Sequence, residues 1–209
     1  MRKEKLVSDE IYHVFNKSIA SYKIFNSDDD YDRFLYAVNY YTTDRKGSFS
    51  SFLKSKEKTI NHSDGKYVKI VSYCFMPTHF HLVLKQLEEN GIVRFISNLS
   101  NSYAKYFNLK HNRKGPLWEG RFRNVLVKTD EQILHLTRYI HLNPVTAYLV
   151  DKPGDWRYSS YREYLNVSDK KICSYSDILV VKPDKYKEFV EDRISYQREL
   201  AKIKELICE

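Results

Sequence analysis

His79-Phe80-His81 is the sharpest chemical feature of this sequence. Side chains alternate faces along a β-strand, so His79 and His81 project together in an extended segment while Phe80 points away. Two imidazoles on a stiff strand suit a metal ion, because little ordering remains to be done on binding. A solvated strand face that binds nothing fits the same triplet. Further along, His135, Tyr139 and Asn143 are each four residues apart and form one polar ridge on a helix. A tyrosine can attack a phosphodiester, and an amide oxygen one turn later can complete a metal site. The plainer readings are a packing or surface role for Tyr139, one of 18 tyrosines, and a helix ending at Asn143-Pro144.

A basic cluster stands between the two groups: Arg113, Lys114, Arg121 and Arg123, with Trp118 among them. Such side chains grip phosphates, and an indole either stacks on an unpaired base or anchors the connector to the core. The formal charge of +8 agrees with a nucleic-acid partner and equally with simple solubility. Apolar residues make up 42% of the 209, enough for one domain with a real core. No apolar run is long enough to cross a bilayer, and no signal-peptide core follows the charged N-terminus, so a soluble, cytoplasmic protein is expected. Cys74, Cys173 and Cys208 are scattered, which supports neither a disulfide framework nor a thiolate zinc site.

The elements that must position these groups follow from periodicity. Residues 11–15 read as a strand. Asp28 to Asp30 open a helix carrying Tyr31, Phe34, Leu35 and Val38. The polar stretch 44–66 reads as an exposed, mobile insertion. Residues 67–75 and 79–85 read as an antiparallel pair turning at Met76-Pro77-Thr78. Ile92, Phe95, Ile96, Leu99, Tyr103, Tyr106 and Phe107 share a helical face. A strand centred on Val125-Leu126-Val127 follows the basic connector. Thr129 with Gln132 has capping-box spacing and starts a helix that Pro144 ends or kinks. A last helix begins near Asp184. The order β-α-β-β-α-β-α gives an α+β fold, a ferredoxin-like split βαβ sandwich with an antiparallel sheet. Residues 1–165 are expected to form the main domain and 166–209 a C-terminal helical extension.

Four segments in this order resemble a known family. Met76-Pro77-Thr78-His79-Phe80-His81-Leu82 is similar to the HUH motif of single-tyrosine transposases. Tyr139-Ile140-His141-Leu142-Asn143-Pro144-Val145 is similar to the tyrosine helix of the REP-associated tyrosine transposases within that group. Gly115-Pro116-Leu117-Trp118-Glu119-Gly120-Arg121-Phe122 and Asp155-Trp156-Arg157-Tyr158-Ser159-Ser160-Tyr161 also match that family's pattern. The resemblance runs from about Tyr12 to Tyr164; the long insertion and the terminal helix lie outside it.

The resemblance implies an HUH endonuclease-type fold and a nicking and joining activity on single-stranded DNA, with a hairpin or palindromic repeat as partner. Tyr139 would attack, leaving a 5′-phosphotyrosine and a free 3′-hydroxyl that can later reverse the step. His79, His81 and Asn143 would hold a metal; mixed imidazole and amide-oxygen ligation suits Mn²⁺ and tolerates Mg²⁺. His135 is left outside the catalytic set. Monomer and homodimer are both compatible, and Tyr139 could serve its own chain or a partner's. A non-catalytic DNA-binding regulator on the same fold is the main rival. A metallohydrolase built on the histidine pair is disfavoured, because Leu82-Val83-Leu84 follows where further ligands would be wanted.

Overall fold

The computed structural model describes residues 5–55 and 65–207. Four strands form its sheet: β1 (Ile11–Lys17), β2 (Val68–Met76), β3 (His79–Gln86) and β4 (Arg123–Val127). Their spatial order is β2-β3-β1-β4, and every neighbouring pair is antiparallel. Helices α1 (Asp28–Tyr41), α3 (Gly91–Lys110) and α4 (Asp130–Thr146) complete the expected ferredoxin-like α+β plan, with the short α2 (Phe49–Lys54) added after α1.

Strand alternation divides the molecule into two layers. One sheet face carries Tyr12, Val14, Phe75, Phe80, Leu82 and Leu84 and packs with Phe34 and Leu35 of α1 and Phe95, Leu99 and Tyr103 of α3. The opposite face carries Cys74, Met76, Val83 and Val127 and packs with Ile133, Ile140 and Val145 of α4. His79 and His81 sit on β3 with the parity of Val83, so they face the α4 layer.

Thr129 caps α4 as its spacing predicts: Oγ1 accepts from the Gln132 backbone N–H at 3.1 Å, and Gln132 Oε1 accepts from Lys128 N–H at 2.8 Å. Pro144 neither ends nor breaks the helix, which runs on to Thr146. Placed in the final turn, its missing N–H removes only one ladder bond.

Two expectations need correction. The described part of 44–66 is not a loose loop. Tyr40 donates to Gly47 O at 2.7 Å, Ser48 caps α2, and Phe49 is buried against the Tyr40 and Tyr41 rings. Residues 56–64 lie outside the described residues. The C-terminal segment holds two long helices where one was expected, α6 (Pro183–Glu191) and α7 (Ile194–Ile207), after a single-turn α5 (Tyr161–Tyr164). Tyr186 and Val190 of α6 enter the same core as α4, so the extension is built onto the tyrosine-bearing helix.

The segment 156–160 covers the outer edge of β2. Phe75 N–H donates to Tyr158 O at 2.9 Å, Ser160 N–H to Tyr73 O at 3.0 Å, and Trp156 Nε1 to Phe75 O at 3.1 Å. An edge strand left with open backbone groups would invite pairing with another chain; here a sequence motif occupies them. Among the described residues no helix is long and apolar enough to cross a membrane.

Candidate active site

The histidine pair and Tyr139 meet across the sheet–α4 interface within one chain. Strand register sets one side. His81 lies opposite Cys74 on β2 and Phe15 on β1, and Phe15 lies opposite Arg123 on β4. A single cross-strand row therefore brings His81, Phe15 and Arg123 to the same face. His79 lies opposite Lys17, at the end of the hairpin. Helix α4 crosses this face and sets the Tyr139 ring edge-on to His81, centroids 6.0 Å apart.

Phe15, Lys17, Thr78, His79, His81, Glu119, Gly120, Arg121, Arg123 and Tyr139 all line one cavity of about 470 Å³. It is partly open to solvent.

Each candidate ligand ring is held through one nitrogen and leaves the other. His79 Nδ1 lies 2.9 Å from Thr78 Oγ1, and His81 Nδ1 lies 2.9 Å from Nε2 of His13 on β1. Among the described residues, neither Nε2 has a hydrogen-bond partner. Metal-binding histidines are typically oriented this way, by a hydrogen bond at the second ring nitrogen. Burial pushes the His79 imidazole down to about 4, with the Lys17 charge adding to it. Burial, then the neighbouring His13 and His79, holds His81 well below the ordinary imidazole value. Both shifts favour the neutral imidazole, which carries one N–H and one lone pair, the tautomer deciding which nitrogen holds the lone pair.

Tyr139 is 43% exposed, and its hydroxyl has no hydrogen-bond partner among the described residues. A tyrosine used for packing normally satisfies its hydroxyl, as Tyr164 does by donating to Val71 O at 2.9 Å. Burial of the ring pushes the Tyr139 phenol above its ordinary value, with Cys74 adding to the shift, so ionisation must be assisted.

Asn143 lies one turn beyond Tyr139 but not on the cavity wall. Its Nδ2 is buried without a partner among the described residues. An orphaned buried amide is costly unless another group completes it. His135, the third member of the ridge, turns elsewhere. Its Nδ1 accepts from Arg138 at 2.7 Å and its ring stands 5.6 Å from Phe189 of α6.

The basic cluster separates into two groups. Arg121 and Arg123 are exposed, line the cavity and form no ion pair or side-chain hydrogen bond among the described residues. Arg113 instead folds the connector, donating to Asn108 Oδ1 at 3.0 Å and Pro116 O at 2.7 Å. Lys114 is exposed and outside the cavity. Trp118, read in sequence as either stacker or anchor, is an anchor. Nε1 donates to Ser100 O at 3.0 Å, and the ring packs against Phe80 and Tyr103.

Sequence reasoning missed four residues. His13 reads as an ordinary strand residue until β1 is laid beside β3. Lys17 and Glu119 form an ion pair of 3.1 Å at the cavity, joining residues about a hundred positions apart. His141, inside the Tyr139 motif, is fully buried; Nδ1 lies 2.8 Å from Tyr186 Oη and Nε2 2.7 Å from Ser160 Oγ. It ties α4 to α6 and to the segment covering β2, and so fixes the helix that carries Tyr139.

Comparison with known proteins places the family and the fold. Residues 7–143 match the family described as "Transposase IS200 like". A Haemophilus influenzae protein named as a REP-associated tyrosine transposase is 28% identical over 132 residues, covering 58% of this chain and 71% of that protein. The solved structure of a REP-associated tyrosine transposase bound to a REP hairpin superposes with a TM-score of 0.54 at 14% identity, covering 87% of this chain and 98% of that one.

Proposed function

The chain belongs to the IS200-like transposase family, and from that premise we propose that it cuts and rejoins single-stranded DNA at a hairpin or repeat end, with Tyr139 as nucleophile. The observation that carries this reading is Tyr139 edge-on to His81 in the cavity that His79 also lines, with the hydroxyl and both imidazole Nε2 atoms lacking a hydrogen-bond partner among the described residues.

Tyr139 Oη forms a bond to the scissile phosphorus, the bond from phosphorus to the 3′ oxygen breaks, and that oxygen takes a proton to leave as a 3′-hydroxyl. The downstream strand stays on the protein as a 5′-phosphotyrosine, so the reverse attack by a different 3′-hydroxyl joins strands without ATP. The half-exposed phenol can lose its proton to water. At pH 7 an unassisted phenol is ionised about one part in a thousand, a deficit of about 4 kcal/mol, and burial of Tyr139 enlarges it.

The donor set fits a divalent cation. Among the described residues no three His, Cys, Asp or Glu side chains form a metal cluster, so His79 and His81 need the Asn143 amide as third protein ligand. The Asn143 side chain, one turn beyond Tyr139 and with its Nδ2 buried without a partner among the described residues, would supply that ligand through Oδ1. Such a mixed nitrogen and oxygen set suits Mn²⁺ or Mg²⁺, and the chemistry a bound ion would supply is polarisation of the phosphate and stabilisation of transition-state charge.

Arg121 and Arg123 hold the DNA backbone against the cavity. Replacing either by Ala is expected to lower the slope of log affinity against log salt by about 0.7 for single strands. Arg113→Ala should leave that slope alone and loosen the connector instead. Binding titrations between 50 and 200 mM salt, roughly, decide this; equal slopes for all three variants would remove Arg121 and Arg123 from the DNA path.

The label position tests the chemistry. With Mn²⁺ and a hairpin substrate labelled on the downstream fragment, denaturing gels should show label attached to protein, and the upstream fragment should end in a hydroxyl that a polymerase can extend. Label retained on the upstream fragment would contradict the proposal, and binding with no adduct would favour a non-catalytic regulator.

A further inference from the structure

We propose that His13 is a positioning residue, whose Nε2 accepts the His81 Nδ1 proton and so aims the His81 Nε2 lone pair at the metal position. This rests on the metal reading above.

Strand pairing places His13 there. It lies opposite Val83, two residues along from the Phe15–His81 pair on the same sheet face. Diagonal neighbours in an antiparallel pair come within reach of long, ring-bearing side chains. Nε2 of His13 accordingly stands 2.9 Å from Nδ1 of His81. The two rings also stack, centroids 5.1 Å apart and planes 20° apart, while Phe15 braces His81 from the same strand at 5.9 Å. The His81 ring is therefore fixed in both tilt and rotation.

One shared proton makes this contact more than packing. Two ring nitrogens 2.9 Å apart share a hydrogen bond only if one donates and the other accepts. If His81 Nδ1 donates, His81 Nε2 carries a lone pair and can ligate. If His13 donates, the His81 proton sits on Nε2 and blocks ligation. Only the first arrangement is compatible with a metal at His81, and it requires an acceptor at position 13. His13 itself does not reach the cavity wall, and its Nε2 is turned to His81. His79 obtains the same service from the Thr78 hydroxyl, which can donate or accept and so imposes no choice.

The test is Mn²⁺ affinity, read by electron paramagnetic resonance of free and bound ion without DNA. His13→Phe keeps a ring in the stack and removes the acceptor. It is expected to weaken Mn²⁺ binding about 10–100-fold, with DNA binding in a chelator unchanged and the cleavage rate restored at saturating Mn²⁺. His13→Gln, whose carbonyl can accept, should recover part of the lost affinity. A His13→Phe affinity within twofold of wild type would overturn the proposal. Should both variants fail to fold, long-range ¹⁵N–¹H spectra of the wild-type chain without metal still decide: the His81 proton is expected on Nδ1, and a proton on Nε2 refutes it. If wild type binds no Mn²⁺, the metal reading itself falls. If wild type binds, His81→Ala does not, and His13→Phe is unaffected, only the role of His13 falls.

Discussion

Tyr139→Phe is expected to abolish the covalent protein–DNA adduct while leaving hairpin affinity within about twofold of wild type. The substitution removes a single oxygen. That oxygen has no hydrogen-bond partner among the described residues, so its loss strands no buried group, and the ring keeps its edge contact with His81. Fold, cavity and basic wall should be unchanged, which makes the variant a clean separation of chemistry from binding. Removing a nucleophile typically costs many orders of magnitude, leaving only weak background catalysis. The effect should thus appear as adduct lost to the detection limit, with an unchanged melting curve. Adduct formation at the wild-type rate in Tyr139→Phe would shift the nucleophile to another group and end this assignment. Among the described residues Tyr139 is the tyrosine that lines the cavity, so no ready substitute stands beside it.

The parts of the site legible in the sequence are those whose geometry follows from local periodicity. His79 and His81 share a face because a strand repeats every two residues, and Tyr139 and Asn143 share a ridge because a helix nearly repeats every four. Element order then gave the ferredoxin-like plan, since a split βαβ unit with a hairpin has few ways to fold. What local pattern cannot carry is a partner distant in sequence. His13 meets His81 across 68 residues, and only strand register brings them together. His141 was hidden for the same reason, its partners lying on the β2 edge segment and on α6. Arg113 and Arg121 look alike in sequence, yet one folds a turn and the other faces the cavity, a difference set by the path of a non-repetitive connector. The stretch 44–66 misled through composition. Phe49 and Phe52 are sparse apolar anchors, but the Tyr40 and Tyr41 rings at the end of α1 give them a surface to bury against.

His81→Ala is expected to slow cleavage by roughly 10³-fold at Mn²⁺ concentrations that saturate wild type, since metal assistance to phosphate chemistry is worth several kcal/mol. A chelator should slow wild type strongly and hardly change the variant, because the variant has little metal to lose. His79→Ala should act in the same direction but more weakly. His81 is 8% exposed, stacked by His13 and braced by Phe15, so its ring direction is strongly imposed. His79 sits at the hairpin end, oriented by one neighbouring hydroxyl, and its position is more easily taken by water. Rates measured across a Mn²⁺ titration separate the two: His79→Ala should recover in part as Mn²⁺ rises, and His81→Ala should not. Neither change should alter hairpin binding in a chelator, because the proposed phosphate contacts belong to Arg121 and Arg123, on the connector and β4. Full activity of His81→Ala in the presence of a chelator would place the assistance to Tyr139 in the arginines alone, and the imidazole pair would then be a packing feature of the sheet.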